Sequence, residues 1–284
     1  MTSQTATSQT ALTLAISPCP NDTFAFDALI HGRVPSAPAV STTYADIDVL
    51  NERAAGAADD LVKVSYAALP WLLEDYQLLS AGGALGRGCG PLVLTAGGSS
   101  AFADGDLTGA RVAIPGERTT AYLLFRLWAA GTDLTSIDIL PFDKIMPSVQ
   151  DGLHDVGLVI HESRFTYPDY GLRAVADLGD WWEGETGLPI PLGAILARRS
   201  LDGAALSAAV RRSVEMAFAD PGASKAFVLS HAQELAPDVV AAHIGLYVND
   251  FTLELGDEGY AAIETLLTRA ASAGLVPALS RPLR

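Results

Sequence analysis

The sequence predicts an α/β protein of two lobes. Short β-branched or apolar runs alternate with helical patterns along most of the 284 residues, and such alternation is typical of sheets covered by helices. A glycine-rich segment at 82–91 and a tryptophan- and proline-containing segment at 181–193 interrupt it. The residues between these two segments have their own strand–helix alternation, as expected for one domain inserted into another.

The predicted strands are short, and most of them precede a predicted helix. They cover residues 12–16, 61–64, 92–96, 111–114, 137–141, 156–160 and 194–197. The predicted helices cover 23–31, 47–56, 66–75, 120–130 and 144–152, followed by four Ala-rich helices at 201–218, 222–231, 237–246 and 258–273. This order favours parallel sheets with helices on their faces.

The pattern divides the chain into three parts. Residues 1–11 are rich in Ser, Thr, Gln and Ala, and we expect a disordered tail there. Residues 12–95 and 192–284 are predicted to form a large lobe, and residues 96–191 an inserted small lobe. Two lobes joined by two strands are the layout of the periplasmic-binding-protein-like (type II) fold, in which a ligand binds in the interlobe cleft and the lobes close around it.

Composition excludes several classes of partner. The chain has 18 basic and 33 acidic residues, a formal charge of −15, so we expect neither nucleic acid nor a membrane as a partner. The first residues lack the features of a signal peptide, and two cysteines make no disulfide framework, so we expect a cytoplasmic protein. Histidines and cysteines show no paired ligand spacing, so no metal site is predicted, and nothing indicates an oligomeric state.

The first candidate site is the segment 17–24, SPCPNDTF, directly after the first predicted strand. Two prolines stiffen it, and Asn21, Asp22 and Thr23 offer side-chain acceptors where a helix begins. Ligands of open α/β folds bind at the carboxyl ends of strands, so these residues are candidates for ligand contact. Cys19, between the prolines, is predicted to be a small buried filler and not a nucleophile.

The second candidate is His161, which follows a continuous apolar strand. Imidazole is the natural base near neutral pH, but a histidine here could equally cap or hydrogen-bond a neighbouring helix. Glu162 could orient the ring, although a solvated acid at a helix start is the favoured interpretation. The remaining histidines are predicted to be structural or exposed: His31, His154, His231 and His243.

Two further groups stand at strand ends. Thr119 and Thr120 occupy a predicted helix start, where hydroxyl and N–H groups suit a carboxylate or phosphate; a plain helix cap is an equally good interpretation. The segment Lys63, Val64 and Ser65 ends another strand. From these residues alone, an exposed lysine and a serine cap are favoured over a ligand site.

Together these segments resemble the 1,4-dihydroxy-6-naphthoate synthases of the futalosine route to menaquinone. The segments that carry the resemblance are long and unusual, and it extends from about residue 12 to the carboxyl terminus. They are residues 17–24, 63–66, 82–92, 119–122, 160–168 and 187–198.

The resemblance implies a two-lobed lyase that needs neither a metal nor an organic cofactor. Its substrate would be cyclic dehypoxanthinylfutalosine and its product 1,4-dihydroxy-6-naphthoate. The family's general base falls on His161. Its substrate-contacting segments fall on Lys63, Val64 and Ser65, and on Thr119 and Thr120, and as a hypothesis residues 21–23 line the opposite wall.

Three alternatives remain open at this point. A non-catalytic receptor for a small carboxylate has the same fold, since fold does not set function. Chorismate dehydratase is a second enzyme of the same fold, although the motifs at 17–23 and 160–165 point away from it. A regulatory ligand-sensing domain is disfavoured because no DNA-binding segment is attached.

Overall fold

The computed structural model describes residues 11–98, 102, 105–232 and 236–284. Its strands are β1 (Leu12–Ile16), β2 (Val40–Tyr44), β3 (Leu61–Ser65), β4 (Tyr76–Leu78), β5 (Ala84–Gly86), β6 (Leu92–Ala96), β7 (Arg111–Ile114), β8 (Ser136–Ile139), β9 (Val156–Val159), β10 (Leu172–Asp177) and β11 (Ile190–Arg198). Its α-helices are α1 (Pro20–Ile30), α2 (Ile47–Ala55), α3 (Leu69–Leu72), α4 (Thr120–Trp128), α5 (Phe142–Gln150), α6 (Ser163–Thr166), α7 (Leu178–Thr186), α8 (Gly203–Ala219), α9 (Lys225–His231), α10 (Pro237–Tyr247), α11 (Asp250–Leu253) and α12 (Gly256–Ser272).

The strands form two sheets, one in each lobe. The large-lobe sheet has the order β2-β1-β3-β11-β4 with β5 paired to β11, and the small-lobe sheet has the order β10-β6-β9-β7-β8. Strands β1, β2 and β3 are parallel, as are β7, β8 and β9. The prediction of parallel sheets is nevertheless wrong for the crossing strands, because β6 and β11 pair antiparallel with all their neighbours. Antiparallel pairing needs no helical crossover, so a strand arriving from the other lobe can enter the sheet directly.

The crossing strands also differ from the predicted lobe limits. Leu92, at the start of β6, pairs with Val159 in the small-lobe sheet, whereas the limit at 95/96 leaves residues 92–95 in the large lobe. Strand β11 begins at Ile190 in the large-lobe sheet, two residues before the limit at 191/192. The division into domains stays a prediction, and residues 1–10 of the predicted tail lie outside the described residues.

The large-lobe sheet is covered on both faces. One apolar cluster joins it to α1 and α8, and a second joins its other face to α2, α3 and α12. Every residue of β3 is buried, including Lys63. A charged side chain in such a strand needs a buried partner, and this requirement shapes the site described below.

The first helix begins earlier than predicted. Helix α1 begins at Pro20, with Cys19 in the N-cap position and no side-chain cap. Proline suits this first position because its fixed φ is already helical and no N–H is lost. Asn21, Asp22 and Thr23 therefore lie in the first turn, and the prediction that they cap the helix is wrong.

Among the described residues, no helix combines the length and apolar character required to cross a bilayer.

Candidate functional site

A cavity lies between the two lobes, and both contribute its walls. It has about 580 Å³ of empty space, which includes its opening to solvent. Six of the predicted site residues line it: Asn21, Lys63, Ser65, Thr119, Thr120 and His161. The other lining residues are Ser17, Ile47, Ala84, Cys89, Ala121, Ile160, Leu192, Gly193 and Tyr247.

Three predicted site residues do not line the cavity. Val64 packs into the apolar core beside α2 and α3, because successive side chains of a strand point to opposite faces. Thr23 is fully buried and donates from Oγ1 to the Cys19 carbonyl oxygen at 3.1 Å. Asp22 lies behind the cavity wall, where it is 1% exposed.

Asp22 is the centre of a buried polar network. Its Oδ2 accepts from the backbone N of Ser17 at 3.1 Å and from Ser17 Oγ at 2.6 Å. Its Oδ1 accepts from Asn21 Nδ2 at 2.9 Å and pairs with Lys63 Nζ. Lys63 is only 4% exposed, so the prediction of an exposed lysine is wrong. Its ammonium group pairs with Asp22 within the wall.

His161 has an unusual backbone conformation. Its φ is +56°, in the left-handed region that non-glycine residues rarely adopt. Such conformations cost about 1–3 kcal/mol and cluster at functional sites. The turn that follows β9 places the imidazole with Nδ1 3.6 Å from Cys19 Sγ. The ring packs against the ring of Phe142 edge-on, with 5.5 Å between their centroids.

The imidazole of His161 is neutral at neutral pH. Burial, and secondly the charge of Lys63, lower its pKa from 6.5 to about 3. A neutral imidazole keeps one nitrogen lone pair with which it can accept a proton. The imidazole can therefore accept a proton. Its pKa depends on the charges of the other groups in the cavity.

His243 is a second buried histidine beside the site. Its ring is nearly parallel to that of His161, at an interplanar angle of 17° and a centroid distance of 6.2 Å. An ionised Asp22 only accepts hydrogen bonds, so Asn21 turns its amide nitrogen to Asp22 and its oxygen to His243 Nε2, 3.0 Å away. His243 Nε2 thus carries the proton and donates. Burial is the largest cause that lowers the pKa of His243.

His243 and Glu162 were not predicted as part of the site. His243 belongs to α10, far from the other site segments in sequence, and the only signal was a histidine in an otherwise apolar helix. Glu162 is 9% exposed, and its Oε2 lies 3.9 Å from Nδ1 of His243. The favoured interpretation of Glu162 as a solvated acid is therefore wrong, because α10 covers it.

The two threonines have different partners. Thr119 is the N-cap of α4: its Oγ1 accepts from the backbone N of Tyr122 at 3.2 Å and donates to the Gly116 carbonyl oxygen at 2.7 Å. Thr120 Oγ1 donates to the Leu192 carbonyl oxygen at 2.8 Å and accepts from the backbone N of Ala67 at 3.2 Å. Thr120 therefore joins the lobes, while the first N–H groups of α4, which have no partner inside the helix, lie at the cavity.

The lobes also touch through α2 and α3. Asn51 Nδ2 donates to Ser65 Oγ at 3.1 Å and to the Arg118 carbonyl oxygen at 3.4 Å. The guanidinium of Arg118, from the small lobe, lies 5.2 Å from the centroid of the Trp71 ring in the large lobe. A hydrogen bond and a cation–π contact thus link the two lobes here.

Two solved structures illustrate the similarity of this architecture to known proteins. A crystal structure of an Archaeoglobus fulgidus protein is 34% identical with a TM-score of 0.85, and covers 94% of this chain and 98% of that one. The alkanesulfonate-binding protein SsuA of Xanthomonas axonopodis, bound to MOPS, is 18% identical with a TM-score of 0.72 over 98% of this chain and 99% of its own. The second similarity shows the periplasmic-binding-protein-like fold alone.

Two curated relatives are similar over nearly the whole chain. Both are named 1,4-dihydroxy-6-naphtoate synthase. The Streptomyces coelicolor protein is 61% identical, over 94% of this chain and 95% of its own. The Thermus thermophilus protein is 49% identical, over 96% of this chain and 98% of its own. A family model described as menaquinone biosynthesis matches residues 12–272. The chain therefore belongs to the menaquinone biosynthesis family.

Proposed function

We propose that this protein is a 1,4-dihydroxy-6-naphthoate synthase, a carbon–carbon lyase that acts on cyclic dehypoxanthinylfutalosine. The two relatives with that name support the reaction. The observation that carries the proposal is a neutral imidazole, His161, at an enclosed cavity between two lobes. The cytoplasmic location and the division into a large and an inserted small lobe stay predictions from the sequence.

The proposed chemistry needs one base. Cleavage of a carbon–carbon bond next to a hydroxyl requires loss of the hydroxyl proton, and the electrons of the broken bond enter the ring system as it becomes aromatic. His161 accepts that proton. A positioned general base contributes about 10²–10⁴-fold to the rate, and exclusion of water by the closed lobes adds to it.

The substrate itself would adjust the base. Burial and Lys63 lower the pKa of His161, whereas a negative charge nearby raises the pKa of an imidazole. A substrate carboxylate in the same cavity would therefore bring His161 towards the pKa at which a base works best. Asp22 does not take this part, because it already pairs with Lys63 and accepts three further hydrogen bonds, from the backbone N and Oγ of Ser17 and from Asn21 Nδ2.

We assign the predicted binding residues different parts. The N-terminus of α4, with Thr119 and Thr120, would hold the carboxylate or sugar oxygens, since helix N-termini favour anions. Ser65 would contact the substrate from the opposite wall. Asn21, Asp22 and Thr23 would shape that wall together with Lys63, while Val64 anchors β3 in the core.

The test is turnover by a His161→Gln variant. We expect kcat to fall by about 10²–10⁴-fold, while the dissociation constant for 1,4-dihydroxy-6-naphthoate stays within a few-fold of the wild-type value. His31→Gln is the matched control, because His31 is the C-cap residue after α1, its side chain is 46% exposed and it does not line the cavity. Near-normal turnover by His161→Gln would remove His161 as the base.

The alternatives are separated in the same assay. Chorismate supplied as sole substrate tests for a dehydratase, and unchanged cyclic dehypoxanthinylfutalosine after incubation would indicate a receptor. Turnover of chorismate, or recovery of unchanged cyclic dehypoxanthinylfutalosine, would contradict the proposed reaction.

A further inference from the structure

Three metal-binding side chains meet beside the cavity. Cys19, His161 and Glu162 each offer one ligand atom, and the three atoms all lie within 4.8 Å of one another. Cys19 comes from the large lobe, directly before α1, whereas His161 and Glu162 come from the small lobe, directly after β9. The sequence did not predict this group, because Cys19 is 142 residues from His161 along the chain. The two residues are brought together by the packing of the lobes.

The geometry suits one class of ion. Zinc takes sulfur at about 2.3 Å and imidazole nitrogen at about 2.0–2.1 Å in a tetrahedral arrangement, which separates these two ligands by about 3.6 Å. The Sγ of Cys19 and the Nδ1 of His161 are 3.6 Å apart. Three protein ligands plus one open position are the pattern of exchangeable zinc sites, and the open position here would face the cavity.

We propose that Cys19, His161 and Glu162 bind a soft divalent transition-metal ion such as Zn²⁺. The bound ion links the two lobes and inhibits the enzyme. A thiolate, an imidazole and a carboxylate favour Zn²⁺ or Co²⁺, whereas Mg²⁺ and Ca²⁺ prefer oxygen ligands. Glu162 supplies a negative charge from a buried position, where few water molecules compete for the ion.

The thiol must lose its proton when the ion binds. Burial and secondly the charge of Glu162 raise the pKa of Cys19, so the thiol is protonated and unreactive without a metal. Binding then converts the thiol and the free ion into a metal thiolate and one released proton. No oxidation takes place, so the site empties again when a chelator removes the ion.

Inhibition follows from the single lone pair of a neutral imidazole. When Nδ1 of His161 coordinates the ion, Nε2 carries the proton, and the ring cannot accept another. This step rests on the proposed role of His161 as the base. The binding site itself does not, because it depends only on the position of the three ligand atoms.

Cobalt provides the direct test, since Co²⁺ bound to a thiolate gives a charge-transfer band in the near ultraviolet. Reduced, chelator-treated protein is titrated with Co²⁺, and Zn²⁺ is then added to displace it. We expect one Co²⁺ per chain with the thiolate band in the wild type. In Cys19→Ser the band should be lost and Zn²⁺ binding weakened by at least about 10-fold, since even outer-sphere partners are worth about 10–100-fold.

The other cysteine supplies the matched control. Cys89 also lines the cavity but is not one of the three ligands, so Cys89→Ser should keep the cobalt band. Glu162→Gln, which preserves side-chain size, should weaken Zn²⁺ binding and gives a second variant if Cys19→Ser fails to fold by circular dichroism. Absence of the thiolate band in the wild type, or its presence in Cys19→Ser, would contradict the proposed metal site.

Turnover is measured separately with added Zn²⁺ and then with a chelator. The proposal is supported if Zn²⁺ inhibits turnover by the wild type, a chelator restores that turnover, and Zn²⁺ does not inhibit Cys19→Ser. Full turnover by the zinc-loaded enzyme would contradict the proposal that the bound ion inhibits the reaction. Loss of the cobalt band would leave the proposed lyase reaction standing, so the two proposals fail independently.

Discussion

His161 combines three properties that are costly in a protein and useful in a site. Its backbone is left-handed, its ring is half-buried, and the charge of Lys63 acts on it. None of these contributes to packing, and each disfavours either the local conformation or the protonated ring. Such a residue persists because its surroundings hold it there, and here the contacts with Phe142 and with Cys19 do so.

The depressed pKa of His161 predicts how stability depends on pH. In the unfolded chain the imidazole binds a proton below about pH 6.5, whereas in the folded protein it does so only near pH 3. Between these values the unfolded state binds more protons, so the free energy of unfolding rises with pH. The contribution is present above about pH 6.5 and is lost as the pH falls towards 3.

Urea unfolding of the wild type and of His161→Gln from about pH 4 to about pH 7 measures this contribution. We expect the variant to have the shallower dependence, by at most the one-proton limit of about 1.4 kcal/mol per pH unit. His243, whose pKa is also lowered by burial, leaves a residual slope of the same sign. Equal slopes in both proteins would mean that the imidazole of His161 titrates alike in the folded and unfolded states.

At the scale of elements, the interior strands were predictable, and so was the edge strand β8, whose observed range overlaps the predicted strand at 137–141. Other edge strands were not. Strands β1, β6 and β7 have the predicted bounds, since each is a run of apolar or β-branched residues buried in its sheet. Strands β2 and β10 were missed, and they lie at sheet edges where half-exposed polar residues hide the pattern. The direction of β6 and β11 could not be predicted either, because it depends on partners distant in sequence.

The candidate site follows the same physical rule. Side chains at the ends of predicted strands, such as Ser65 and His161, do line the cavity, because the strand ends of the two sheets meet there from opposite lobes. Val64 does not, although it lies between two residues that do, because the alternation of a strand turns it into the core. His243 and Glu162 required knowledge of how α10 packs against the small lobe, and no local pattern contains that.

The close crossing of β6 and α7 supports one further prediction. Gly90 precedes β6, and a Cβ on it would lie 2.0 Å from the backbone N of Gly179, at the start of α7. Arg164 donates to the Gly90 carbonyl oxygen at 2.9 Å and to Asp177, which caps α7. Gly90→Ala must therefore push backbone against backbone at the point where the chain enters the small lobe.

We expect Gly90→Ala to destabilise the protein by at least about 1–3 kcal/mol, the usual cost of overpacking, as measured by chemical denaturation. Gly184→Ala is the matched control: it lies in the same helix α7, and a Cβ there would meet nothing within 4 Å. Because alanine is the better helix former, the control should be neutral or more stable by up to about 1 kcal/mol. Equal stability of the two variants would contradict the importance of this crossing.

At the scale of the whole molecule, the net negative charge disfavours the approach of an anionic substrate, whereas the cleft must bind one. A formal charge of −15 repels an anionic substrate at long range, so affinity must come from short-range groups inside the cleft. Lys63 is paired with Asp22, and the N-terminus of α4 adds a second electropositive element at the cavity. Closure of the lobes removes the water that would otherwise screen it.

The contact between Trp71 and Arg118 predicts the cost of opening the cleft. The contact joins a residue of the small lobe to one of the large lobe, and Trp71 is partly exposed, at 41%. An exposed cation–π contact contributes about 0.5–1 kcal/mol. Its loss in Arg118→Ala should therefore raise the dissociation constant for 1,4-dihydroxy-6-naphthoate by about two- to fivefold, and increase the ligand-free radius of gyration measured by small-angle X-ray scattering.

Arg126→Ala is the matched control for this contact. The Arg126 guanidinium lies 5.7 Å from the centroid of the Tyr122 ring, but both residues belong to α4, so the contact stays intact whether the lobes are open or closed. The control should keep the wild-type affinity and radius of gyration. If both variants bound the product equally well, the Trp71–Arg118 contact would not contribute to closure. The energy that holds the lobes together would then come from their other contacts, among them the hydrogen bonds of Thr120 to Leu192 and Ala67 and of Asn51 to Arg118.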